Sequence, residues 1–180
     1  PQPVARPHQV RGDGLTMPPP EVARIDAVCD AVVAAVAAAW APVAPDEVSA
    51  PDVPDLETEN MRGRGRQVYV LPGPYTGNPA TRAADSNEYT VYVIVAELYP
   101  DAGTPEPDWR RKRTAFCEWL INDVLGNPRT VRLLASAADP TSGLWPESAE
   151  AVIACDFVRL DQTKLFYAEL TITYREIAAA

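Results

Sequence analysis

The side chains that most often carry chemistry are few in this sequence, and their spacing suits none of the common reactions. The only histidine, His8, stands in a proline-rich opening stretch. Histidine triads, HExxH zinc helices and most general-base schemes therefore lack their central residue. No GxxxxGK[ST] phosphate loop, GxGxxG turn or GxSxG elbow occurs. The nearest approach to a metal-dependent nuclease is Asp156 followed by Asp161-Gln162-Thr163-Lys164. Such a centre needs an acid-x-Lys pair on a strand, and one residue too many turns Lys164 to the opposite face. Cys29, Cys117 and Cys155 lie far apart inside apolar patterns, without CxxC spacing. They read as buried free thiols rather than as a disulfide framework or zinc site. Arg62-Gly63-Arg64-Gly65-Arg66 mixes basic residues with glycine, as RNA-binding tracts do, but those are long and repeated. A surface loop leading into a strand is expected here. Arg11-Gly12-Asp13 spells an adhesion-type tripeptide and is expected to be a flexible turn. The acidic side chains crowd residues 43–61, where solvation explains them better than a paired-carboxylate site. No catalytic, metal or cofactor site is expected, and the chain is expected not to be an enzyme.

The elements are punctuated by 19 prolines, most of them grouped at Pro1–Pro20, Pro42–Pro54, Pro72–Pro79 and Pro100–Pro107. Such clusters join ordered segments by stiff, extended connections. Pro1–Pro20 has little apolar content and no period, and is expected to be an extended arm. Residues 21–180 are expected to form one domain, with 47% hydrophobic residues to supply a core. Val22, Ile25, Cys29, Val32, Val36 and Trp40 recur at helical steps, predicting a first helix over Pro20–Ala41. An acidic, proline-broken connector follows. Gln67–Leu71 reads as a strand, and Pro72–Pro79 as a loop. Glu88–Glu97 has apolar residues on both faces, the pattern of a central strand covered on each side.

Asp108 stands where it could cap a second helix that stops at Gly126-Asn127-Pro128. Thr130–Leu134 reads as a short strand and Ala135–Ala149 as a loop holding Trp145. Two closing strands are expected over Val152–Leu160 and Leu165–Glu176, joined at Asp161-Gln162-Thr163. In the last, Phe166, Ala168, Leu170, Ile172 and Tyr174 point inward, and Tyr167, Glu169, Thr171, Thr173 and Arg175 outward. The expected fold is α+β: a mainly antiparallel sheet packed by two helices, with an extended N-terminal arm.

The order of these segments resembles that of the tail terminator, or tail completion, proteins of long-tailed bacteriophages. The likeness covers roughly residues 20 to 177. It is carried by the Ala/Val-rich first helix, the acidic linker, the strand Arg66–Gly73, the strand Tyr89–Val95, one amphipathic helix and the closing strand Phe166–Arg175. The resemblance implies a non-enzymatic virion subunit that forms a ring, usually of six. Such a ring caps the tail tube, meets the head-side connector or stopper, and leaves a channel for DNA. It implies assembly in the bacterial cytoplasm and a final place at the tail–neck junction.

A net charge of −9 suits a ring that DNA passes through without being gripped. No apolar run reaches the ~20 residues needed to span a bilayer, so no membrane partner is expected. Trp, Tyr and Arg are the types expected at subunit contacts. The candidates are Arg64, Arg66, Tyr75, Trp109, Arg110, Arg111, Arg113 and Trp145. Two other readings stay open: another neck or minor tail component such as a head-side stopper, and a binding module unrelated to phage.

Overall fold

Alternation along the closing strand is what organises the core. In the computed structural model, which describes residues 24–44, 46–79, 84–99, 108–127, 132–134 and 143–179, β5 (Leu165–Ala179) lies within a five-stranded sheet. Its inward residues Phe166, Ala168, Leu170, Ile172 and Tyr174 are all fully buried. They face the same side as Val91, Val93 and Val95 of β3 (Ala84–Leu98) and Val68 and Val70 of β2 (Gln67–Pro79). The strand order is β1-β2-β3-β5-β4, with β1 (Glu47–Ser49) parallel to β2 and every other pairing antiparallel. The fold is α+β with a mainly antiparallel sheet.

One face of that sheet carries the two long helices. Helix α1 (Arg24–Trp40) buries Val28, Cys29, Val32 and Val36, and α3 (Trp109–Trp119) buries Trp109 and Cys117. The same core takes in Leu120, Val124 and Leu125 of the π-wound segment Leu120–Leu125 that continues α3. The opposite face is buried over the part nearer the short helix α2 (Thr58–Met61), where Met61 packs with Leu56, Ala96, Leu98 and Leu165 and where Tyr69 and Ile94 are buried too. Elsewhere it carries Thr90 and Thr173, hydroxyl to hydroxyl at 3.3 Å, and Arg175 paired to Glu88 at 2.8 Å and Glu147 at 3.0 Å. There the sheet meets water on one face, so Glu88–Glu97, expected to be covered on each side, is buried on its second face only at Ile94 and Ala96.

Several expectations change. Residues 72–79 continue β2 instead of forming a loop, with a register shift between Pro72 and Tyr75. Prolines are tolerated there because β1 covers β2 only opposite Gln67–Tyr69, leaving the outer edge of the later residues without a strand to bond. Leu144–Ile153, expected as loop and then strand, is the edge strand β4. The chain then forms helix α4 (Phe157–Thr163), not the strand expected to run to Leu160. Asp156 caps this helix, its side chain accepting the Arg159 N–H at 3.0 Å, and Lys164 ends it in a left-handed conformation. Asp161-Gln162-Thr163, expected as the turn between two strands, is the last turn of α4. The acidic connector holds β1 and α2, neither of which was expected.

Asp108 does not cap α3. It adopts φ 66° with no side-chain bond to a backbone N–H of the helix, and pairs instead with the Arg111 side chain at 3.1 Å. Of the expected strand Thr130–Leu134, the described part shows only a bridge from Leu133 to Leu144. The arm Pro1–Pro20, the first turn expected for the first helix, the Pro100–Pro107 turn and residues 135–142 of the expected loop lie outside the described residues. Among the described residues, no helix is long and apolar enough to cross a membrane.

Candidate assembly surface

Three of the eight residues expected at a contact surface are interior instead. Trp109 is 4% exposed, meeting Tyr99 and Phe166 edge-on at ring separations of 4.9 and 6.1 Å. Glu97, at the end of β3, takes Arg113 through both carboxylate oxygens and Arg66 through Oε2 at 3.0 Å. Each of these three charged side chains is under a fifth exposed. The guanidinium of Arg66 lies 4.3 Å from the Phe116 ring centroid and 5.4 Å from that of Trp40, and Arg113 lies 4.6 Å from Trp109. The pairing of Gln67 with Ala96 sets Arg66 beside Glu97, and α3 brings Arg113 over them. Arg66, Trp109 and Arg113 thus join the sheet to α1 and α3. They are not available to a partner.

The other five stand at the surface. Arg110 and Arg111 are exposed in the first turn of α3, and Arg110 lies 5.4 Å from the Phe157 ring. Arg64, half exposed, reaches Asp55 at 3.8 Å in the loop before β2. Tyr75 is exposed, stacks on Tyr89 at 5.1 Å, and donates its hydroxyl to Asn87 at 3.4 Å. Trp145 is half-buried under the guanidinium of Arg132 at 4.6 Å, and lines a hollow of about 210 Å³ with Pro146, Glu147 and Arg175. Tyr75 and Trp145 share one end of the sheet, but Tyr75 is on the helix side, opposite Tyr89, and Trp145 is on the open side, opposite Arg175. Only Arg110 and Arg111 come together as a surface pair.

Two surface features escaped the sequence reading. One is the apolar group Val152, Phe157 and Val158, exposed by 56, 62 and 66% at the end of β4 and the start of α4. The other is a cleft of about 320 Å³ between α1 and the β1–β2 edge, lined by Asp26, Asp30 and Asp52 with buried Cys29 and Val70. Burial, reinforced by Asp26 and Asp30, pushes the Cys29 thiol up to about 11. Asp156 before a four-residue spacing to Leu160 was a legible helix-start signal for the first feature. For the second, Asp26 and Asp30 share one helix face off the apolar stripe, while Asp52 joins them only through the fold. Among the described residues, no group of three or more His, Cys, Asp or Glu side chains is placed to hold a metal ion.

No protein-family model matches this chain, and no curated protein matches it. A functional reading has to stand on the residues themselves.

Proposed function

We propose that this chain is a structural subunit of a phage neck, forming a single ring of six that caps the tail tube and meets the head-side connector while DNA passes through. The observation that carries this reading is the form of the sheet. Its two long helices cover one face, and long stretches of both edges, the part of β2 beyond β1 and the strand β4, are built so that they resist adding a strand. The free part of β2 holds Pro72, Pro74 and a register shift, and β4 holds Pro146 and two further shifts. Prolines and bulges at edges block edge-to-edge growth. Neighbours must then meet through side chains, which suits a ring of fixed size better than a fibre. The segment order that resembles the tail terminators supports the same reading, as does the net charge of −9 along a DNA path.

Deletion of the gene from its phage genome tests the proposal. The expected result is filled heads separate from tails, with tail tubes of uncontrolled length. Normal particles at normal yield would overturn it. Tails of normal length without heads would favour a head-side stopper instead.

A further inference from the structure

We infer that, within the ring proposed above, the Phe157–Val158 knob and Arg110 of one copy seat in the Asp26–Asp30–Asp52 cleft of the next copy. The two surfaces lie at opposite edges of one molecule. The cleft is on the β1–β2 side of the sheet, lined by α1, the residues after β1, and Val70 and Pro72 of β2. The knob is on the β4 side. The Asp156 N–H donates to the Tyr167 carbonyl at 2.9 Å, so the start of α4 follows β5 where β4 has ended. A contact between opposite edges is head-to-tail, and such a contact repeats around a ring when its rotation closes.

The chemistry of the two edges matches. The knob exposes Val152, Phe157 and Val158, large apolar side chains that stand close together in the sequence. Arg110 stands over the Phe157 ring at 5.4 Å. The cleft offers apolar lining in Val70 and Pro72, with Val53 exposed by 77% next to Asp52. Asp26, Asp30 and Asp52 line it without an ion pair to any cation among the described residues. An aromatic anchor beside an arginine, entering a recess with carboxylates on its walls, is the composition of an interface hot spot. Within the helix that carries the knob, Asp156 caps the start of α4 and Asp161 meets Lys164 at 4.0 Å.

Charge exchange on the full chain tests this pairing. All three positions to be changed are exposed, and circular dichroism would check that each variant folds. In sedimentation velocity over a concentration series at low salt, the wild-type chain is expected to associate, and added salt to weaken that association. Arg110→Glu alone and Asp30→Arg alone should each weaken it by about tenfold or more, because each sets like charges against each other. Phe157→Asp should weaken it at least as much. An equal mixture of Arg110→Glu and Asp30→Arg chains should recover association, since copies can then alternate with every contact matched. Association that ignores all three substitutions overturns this interface and leaves the ring reading in place. Single swaps that weaken association without recovery in the mixture overturn the head-to-tail pairing. A wild-type chain that stays monomeric throughout overturns the inference too, while the gene deletion decides the neck reading separately.

Discussion

Glu97 holds two guanidiniums at once, and all three groups are largely shielded from water. Removing its carboxylate leaves two positive charges together against Trp40, Trp109 and Phe116. Glu97→Ala is therefore expected to lower unfolding stability by about 3 kcal/mol or more, the usual cost of stranding a shielded charge. Urea unfolding would check it, and a loss below ~1 kcal/mol would show that the cluster is not a structural tie. Burial also sets the alkaline limit. Cys29 and Cys117 rise from an ordinary 9.0 to about 11 and about 12, chiefly by burial. Tyr89 and Tyr167 rise from 10.0 to about 12, again chiefly by burial, with Glu176 and Glu169 respectively adding to it. Between the ordinary and the raised values the folded chain binds more protons than the unfolded one, so stability falls as pH rises. This loss should begin above pH 9 with the thiols and deepen above pH 10 with the phenols. Urea midpoints compared at pH about 8 and about 11 would show it, and equal midpoints would contradict it. The sequence disclosed the types of these residues and the apolar setting of the thiols. It did not disclose that Arg66, Trp109 and Arg113 face inward, because an arginine's exposure depends on a carboxylate that only the β2–β3 register brings near.

Helix ends decide how the elements meet. Gly126 closes the π-wound end of α3, its N–H donating to the Ile121 carbonyl at 2.8 Å. A Cβ there would sit 2.3 Å from that carbonyl oxygen and 2.6 Å from the Ala149 Cβ of β4. Gly126→Ala is expected to cost about 1–3 kcal/mol through this overlap, seen as a lower Tm. Asp156→Ala should cost about 1 kcal/mol by removing the α4 cap. No change would argue that Phe157–Thr163 does not depend on a helical start. β5 was legible because one face is buried along its length, so its alternation records its surroundings. The stretch Val152–Leu160 misled for the opposite reason. Val152, Phe157 and Val158 are apolar but exposed, and they imitate a buried pattern that the fold does not use. Pro72 and Pro74 read as loop because their place at a free sheet edge is a property of strand order.

At the scale of the whole molecule, the fold class and the central place of β3 followed from the alternating strands. The candidate surface did not, since it depends on which edges the sheet leaves open and what charge each carries. The two long helices cover one face, the other is polar where Thr90, Thr173 and Arg175 stand, and the two ends of the strand order differ in charge and apolar exposure. The measurement that tests the neck assignment most directly is a reconstruction of the intact particle at its head–tail junction. This chain is expected there as one ring of six between tail tube and head-side connector, with α4 of each copy against α1 of the next. Finding the chain in stacked rings along the tail, or absent from the particle, would contradict it.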